Sequence, residues 1–227
     1  MMVTKIAVIG TVGVPANYGG FETLVENIIK QNSLDDIQYS VYCSSCAYKD
    51  KRWVYKGAKV VYIPLKANGI QSILYDIVSI CHAIFKADVL LVLGVSGCII
   101  LPLIRLFSRK NIIVNIDGLE HRRAKWSNYV RKFLKFSESL AVKYATHIIT
   151  DKKGIQDYVE KEYGKKSALI EYGGDHVICD TNDMEEEILG KYQLPEKQHT
   201  VTFKWLNPHP DASVNFGEAI VYSDAPL

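Results

Sequence analysis

The chain has 227 residues, 48% of them hydrophobic and 23% charged, which is the composition of an ordinary globular protein and not of a disordered one. A formal net charge of +2 is too small to hold nucleic acid through bulk charge, so we expect no nucleic-acid partner. The five cysteines are odd in number and scattered, which indicates reduced thiols in the cytoplasm rather than a disulfide framework.

Apolar runs of strand length alternate with segments of helical spacing over the first 175 residues. The predicted strands are Lys5–Ile9, Gln38–Cys43, Lys59–Ile63, Val89–Leu93, Asn111–Ile116, His147–Thr150 and Ala168–Ile170. The predicted helices are Phe21–Asn32, Ile70–Phe85, Cys98–Phe107, Lys125–Tyr144 and Gly154–Glu162. This order predicts an α/β fold, a Rossmann-like parallel sheet with helices on both faces.

Ligands of parallel sheets bind beyond the carboxyl ends of the strands. That rule selects four loops for function, namely Gly10–Gly20, Gly94–Gly97, Asp117–Lys125 and Tyr172–Asp175. Composition changes after Asp175, where periodicity fades and a cluster of acids begins. We therefore predict one Rossmann-like domain over residues 1–176, followed by a segment, 177–227, that is too short for a second domain of ordinary size.

The loop after the first strand carries a glycine pair, Gly19-Gly20, directly ahead of a predicted helix. Glycines let backbone N–H groups approach a ligand, and the positive end of a helix favours an anion such as a diphosphate. The loop does not match the G-x-G-x-x-G pattern that holds dinucleotides. From spacing alone, an anion site and a plain turn are equally open.

The loop after the fifth strand is the densest polar cluster at a strand end. Its acids, Asp117 and Glu120, could orient or deprotonate a substrate hydroxyl, and its cations could hold phosphate oxygens. The cations are Arg122, Arg123 and Lys125. The alternative is that the acids cap the next helix while the cations are solvated.

Four segments resemble family-4 glycosyltransferases of the two-domain GT-B fold, in particular the rhamnosyltransferase-like branch that builds bacterial surface polysaccharides. They read GTVGVPANYGGFETLVENI from Gly10, DGLEHRRAKW from Asp117, IITDKKGIQDYV from Ile148 and IEYGGD ending at Asp175. The resemblance extends over residues 3–196 and implies that this chain is the acceptor-side domain, with residues 177–227 as a linker and a truncated or atypical start of the second domain.

The resemblance also implies roles for individual residues. Gly19 and Gly20 would face the donor diphosphate, with Tyr18 and Glu22 in the cleft wall. The catalytic pair would be Asp117 and Glu120, and the acceptor would be held by Arg122, Arg123 and Lys125.

The implied activity is a retaining transfer of rhamnose from a nucleotide-sugar donor, dTDP-rhamnose, to a lipid-linked saccharide in surface polysaccharide synthesis. It requires no metal and no cofactor beyond the donor. Because the donor-binding domain of that family is expected from near His199 onward, we predict that this chain alone transfers no sugar. Two other functions stay open: a non-catalytic saccharide- or nucleotide-binding module, and an unrelated Rossmann-like enzyme that uses a nucleotide cofactor.

The predicted helix Lys125–Tyr144 separates aromatic from basic residues. We expect its aromatic side, which includes Tyr129 and Phe136, to be buried against the sheet. We expect its basic side, with Arg131, Lys132 and Lys135, to meet an anionic membrane surface, which would make the protein peripheral at the inner face of the cell membrane.

Overall fold

The computed structural model describes residues 3–17, 19–123 and 126–173. The strands are β1 Thr4–Ile9, β2 Ile37–Ser44, β3 Val54–Tyr55, β4 Ala58–Ile63, β5 Val89–Leu93, β6 Asn111–Ile116, β7 His147–Thr150 and β8 Ala168–Leu169. The helices are α1 Gly20–Lys30, α2 Gln71–Lys86, α3 Leu101–Phe107, α4 Asn128–Tyr144 and α5 Lys153–Tyr163. The predicted boundary at residue 176 and the segment 177–227 lie outside the described residues.

The strands form one sheet in the order β3-β4-β2-β1-β5-β6-β7-β8. Every neighbouring pair is parallel except β3 and β4, so the predicted α/β fold is confirmed. The chain runs outward from β1 through β2 to β4, and then returns to place β5 on the other side of β1. The loops after β1 and β5 therefore diverge at a topological switch point, where open sheets of this kind bind ligands.

Helices cover both faces of the sheet, as the continuous apolar strands predict. Buried side chains of α2, α3, α4 and α5 pack with residues such as Ile9 and Leu90 on one face. Val25 and Ile29 of α1 pack with Val8 and Val41 on the other face. Alternate residues of β1 thus pack in two hydrophobic cores, one on each face of the sheet.

The two-residue strand β3 is absent from the predicted set. It pairs antiparallel with β4 across Lys56 and Gly57, which both have positive φ, at 45° and 81°. Two successive residues of this conformation make the tight hairpin turn that matches the twist of paired strands. A strand of two residues is too short to produce an alternating pattern.

The orientation predicted for α4 was wrong. Its buried residues include Leu134, Ser137 and Ala141, whereas Tyr129 is 88% exposed and Phe136 is 55% exposed. Small and aliphatic side chains, rather than the aromatic ones, set the face that packs on the sheet. The helix begins after Ser127, whose hydroxyl accepts the backbone N–H of Val130 at 3.5 Å.

Candidate functional site

A cleft of about 200 Å³ opens at the switch point, at the carboxyl edge of the sheet. Its lining includes Gly10, Phe21, Asp76, Gly94, Ser96, Asp117, Glu120 and Trp126. The predicted loops after β1, β5 and β6 therefore all reach one site, because parallel strands end at the same edge. The volume lies below the roughly 300–1,000 Å³ of sites that enclose a drug-sized ligand, so the described residues form one wall of a site or a small subsite.

The loop after β1 is fixed from beneath by two glutamates of α1. Glu22 is buried and accepts hydrogen bonds from the Thr11 hydroxyl at 3.0 Å and the Val12 N–H at 2.7 Å. Glu26 accepts the Ala16 N–H at 2.7 Å. Glu22, which the resemblance placed in the cleft wall, thus has its carboxylate turned to the loop backbone.

The predicted glycine pair stands at the beginning of α1. Gly19 has φ 130°, and a Cβ there would lie 1.9 Å from Oε2 of Glu22. Gly20 is exposed, with no heavy atom within 4 Å of where its Cβ would stand. The first N–H groups of a helix have no partners within it, so they are available to an anion beside Gly20. Tyr18 lies outside the described residues.

The loop after β6 presents Asp117 and Glu120 to the cleft. Burial raises the pKa of the Asp117 carboxyl, and so do the nearby carboxylates of Glu120 and Asp151, against the opposing charge of Arg123. Glu120 accepts from Arg123 Nε at 2.9 Å and from Trp126 Nε1 at 3.4 Å. A partly desolvated carboxyl with a raised pKa is suited to accept a proton from a substrate.

The predicted acceptor-binding cations have different surroundings. Arg122 is exposed, with its guanidinium 5.3 Å from the centre of the Tyr158 ring. Arg123 is half exposed and is paired with Glu120. Lys125 lies outside the described residues.

Glu138, a buried acid that was not predicted from the sequence as a site residue, ties the β6 loop to α5. Its side chain is fully buried and accepts the hydroxyls of Tyr158 at 2.7 Å and Tyr163 at 2.6 Å. His121 Nδ1 lies 3.1 Å from Oε2 of Glu138, and Lys135 Nζ lies 3.4 Å from Oε1. Lys135, predicted to be on a solvated basic face, is thereby held inside a network.

Asp76 of α2 was not predicted from the sequence as a site residue, whereas Ser96, its partner, lies in the predicted loop Gly94–Gly97 after β5. Asp76 is 4% exposed and accepts a short hydrogen bond from the Ser96 hydroxyl. Burial raises the pKa of Asp76 from an ordinary 3.8 to about 7, although the bond from Ser96 opposes the shift. The sequence does contain a signal for Asp76, because this acid stands four residues before Ile80 and so falls on the apolar side of α2.

A family model described as "Domain of unknown function (DUF1972)" matches residues 3–175. The chain belongs to this family. No curated protein sequence matches this DUF1972 chain.

Solved structures of sucrose-phosphate synthase from Thermosynechococcus elongatus resemble the DUF1972 chain. One has a TM-score of 0.56 at 12% identity and covers 75% of this chain and 48% of its own, so the chain spans about half of that protein. Another has a TM-score of 0.50 at 10% identity and covers 76% of this chain and 91% of its own. At these identities the likeness concerns the fold alone, and it agrees with the predicted Rossmann-like parallel sheet.

Proposed function

We propose that this DUF1972 chain is the acceptor-binding domain of a retaining glycosyltransferase that moves rhamnose from dTDP-rhamnose to a lipid-diphosphate-linked saccharide. The observation that supports the proposal is the meeting of Asp117 and Glu120 with Gly10, which follows β1, and Phe21 of α1 in one switch-point cleft; Gly19 and Gly20 are not among the residues that line it. The sheet shared with sucrose-phosphate synthase, a synthase of a sugar phosphate by its name, is consistent with it.

In the proposed reaction an acceptor hydroxyl attacks the anomeric carbon of the donor sugar on the face from which the nucleotide diphosphate departs, so the configuration of that carbon is retained. A C–O bond to the acceptor forms, the C–O bond to the nucleotide diphosphate breaks, and Asp117 takes the hydroxyl proton. The diphosphate leaves toward the N–H groups at Gly19 and Gly20, whose positive field stabilises its developing charge. Glu120 holds Arg123 beside the cleft, and Arg122 and Lys125 are assigned to the acceptor phosphates.

The first test is a binding measurement on the whole chain. Ligand-observed NMR with a short-chain lipid-diphosphate saccharide, dTDP-rhamnose and NAD is expected to detect the lipid-diphosphate saccharide and not NAD. Asp117→Asn removes the charge that the proposed proton transfer needs. We expect it to weaken saccharide binding by at least about tenfold, because hydrogen bonds to charged groups contribute about 1.5–3 kcal/mol. Asp157→Asn on α5, whose carboxylate is 59% exposed, is the matched control.

The rival functions give different results in the same experiment. Binding of NAD in place of the saccharide would identify a nucleotide-cofactor enzyme. Because the proposal places donor binding in a second domain, residues 1–176 are expected to release no dTDP from dTDP-rhamnose in the presence of acceptor. Rapid release by these residues would contradict that division.

We propose further that the enzyme works at the surface of an anionic membrane. No helix among the described residues is long and apolar enough to cross a bilayer. The outer surface of α2, α3 and α4 nevertheless exposes many large apolar side chains, namely Leu74, Val78, Phe85, Leu103, Leu106, Phe107, Tyr129 and Phe136. The acids of these three helices, Asp76 and Glu138, are both buried, so the exposed charges of the helices are basic.

A surface of exposed apolar and basic side chains is suited to lie in the headgroup region of an anionic leaflet. The shallow depression of about 510 Å³ along α4, lined by Arg131, Lys132 and Phe136 among others, belongs to this surface. Because Lys135 is held by Glu138, two other exposed cations are chosen for the test, Lys132 on α4 and Arg109 just after α3.

Co-sedimentation with vesicles of phosphatidylglycerol and phosphatidylcholine tests the membrane proposal. We expect binding to rise with the phosphatidylglycerol fraction and to fall with salt. Each surface cation contributes about 1 kcal/mol, so Arg109→Glu with Lys132→Glu is expected to reduce binding at least tenfold. Lys165→Glu with Lys166→Glu, two exposed lysines after α5, is the control with the same change in charge. If both double variants lose vesicle binding to the same extent, the binding depends on net charge alone. That result would contradict the proposal of a defined docking surface.

A further inference from the structure

Asp76 occupies the floor of the switch-point cleft and is held there from two sides. The turn after β5 packs directly on it, since a Cβ at Gly97 would lie 2.4 Å from the Cβ of Asp76. The neighbouring Tyr75 is fully buried, and its hydroxyl donates to the carbonyl oxygens of Thr11 at 3.0 Å and Tyr42 at 2.8 Å. These contacts fix α2 against the loop that leaves β1, so the position of the Asp76 carboxyl is set before any ligand binds.

The carboxyl of Asp76 has hydrogen-bonding capacity that the described residues do not use. Ser96 donates to Oδ2, and no other described group bonds to the carboxyl. Some described side-chain atoms are shielded from solvent and have no hydrogen-bond partner. Oδ1 of Asp76 does not belong to that set. The two buried glutamates differ from Asp76, because Glu22 accepts two hydrogen bonds and Glu138 accepts several. Those two acids hold the fold together, whereas Asp76 faces the cleft with one carboxyl oxygen that accepts no hydrogen bond from the described residues.

The rest of the cleft is suited to a ring that carries hydroxyl groups. Phe21, Ile73 and Trp126 supply apolar and aromatic surface, while Asp76, Asp117 and Glu120 supply carboxyl oxygens. Small-molecule sites combine an apolar lining with a few placed polar groups in this way. A carboxyl oxygen that faces the cleft and accepts no hydrogen bond from the described residues selects a hydrogen-bond donor, and in a saccharide that donor is a hydroxyl group.

We infer that Asp76, positioned by Ser96, binds one hydroxyl of the saccharide acceptor and thereby helps to determine which sugar the cleft accepts. This inference rests on the proposed function, because it assigns the cleft to a saccharide. Asp76 is a specificity residue in this scheme, and the proton transfer remains with Asp117.

The test compares saccharides that lack single hydroxyl groups. The probes are the methyl glycosides of rhamnose, galactose and N-acetylglucosamine, each with its monodeoxy analogues, bound to the full chain and followed by ligand-observed NMR. A site built to hold a hydroxyl discriminates strongly against the analogue that lacks it. We expect the wild-type chain to prefer one parent glycoside over one of its deoxy analogues by at least tenfold.

Asp76→Ala is expected to abolish that preference and to leave the preferences at the other hydroxyl groups in place. Ser96→Ala, which frees the carboxyl from its positioning bond, is expected to reduce the preference by a smaller factor. Asp157→Ala is the control, because Asp157 lies on α5 outside the cleft and its carboxylate is 59% exposed. The circular dichroism spectrum and unfolding midpoint of each variant show that the fold is retained.

The possible outcomes separate this inference from the proposed function. If the wild-type chain binds none of the glycosides, the saccharide cleft and the role of Asp76 both fail. If it binds them and Asp76→Ala weakens the parent and all deoxy analogues by one common factor, Asp76 is structural and this inference alone is overturned.

Discussion

Substitution of Gly10 by alanine is expected to destabilise the domain by about 4 kcal/mol, from backbone strain and overpacking together. Gly10 has φ 93°, a conformation that costs an L-residue energy, and a Cβ there would lie 2.0 Å from the carbonyl oxygen of Leu93. That oxygen belongs to the backbone of β5, which is held between β1 and β6. The neighbour therefore cannot move aside without breaking the centre of the sheet.

Gly20→Ala supplies the matched control for this prediction. Gly20 has no positive φ and open space around it, and it begins α1, where alanine is the better helix former. We expect a change within about 1 kcal/mol, in the stabilising direction. Urea unfolding of both variants measures the two effects. Similar midpoints for Gly10→Ala and Gly20→Ala would show that the close approach of the β1 turn to β5 is wrong.

The central strands could be predicted from the sequence because each contains adjacent apolar residues in a segment of strand length. Val89–Leu93, Asn111–Ile116 and His147–Thr150 have the predicted bounds. The orientation of α4 could not be predicted in the same way, because apolar residues lie on more than one side of it. Which side is buried depends on how closely the helix approaches the sheet, and Ser137 and Ala141 permit an approach that Phe136 would prevent.

The loops of the candidate site could be predicted because the carboxyl ends of parallel strands locate them without any side-chain detail. Asp117 and Glu120 were found in this way and line the cleft. Asp76 could not be predicted in this way. It comes from a helix interior and reaches the cleft only through the packing of α2 on the turn at Gly97. An acid within an apolar helical stripe is a weak signal in the sequence, although it marks both Asp76 and Glu138.

The wild-type chain is expected to lose stability relative to Asp76→Asn as the pH rises from about 4 to about 7. Burial raises the pKa of Asp76 from 3.8 to about 7, so in this interval the folded chain keeps a proton that the unfolded chain has released. The unfolded state then binds fewer protons, and the free energy of unfolding falls as pH rises. A shift of this size corresponds to about 4 kcal/mol, reached above pH 7 and absent below pH 4.

Urea unfolding of both proteins at intervals between pH 4 and pH 8 measures this difference, and groups common to both cancel from it. Asp157→Asn is expected to give a nearly flat difference, because that carboxylate is 59% exposed and its pair with Lys153 lies at the surface. If the difference in unfolding free energy between wild type and Asp76→Asn is also independent of pH, the carboxyl is solvated in the folded chain. The expected slope instead describes an acid whose ionisation opposes folding, and asparagine at that position would give a more stable domain. A buried acid that costs stability and lines a cleft is typical of a functional group, because its position is then explained by a ligand and not by the fold.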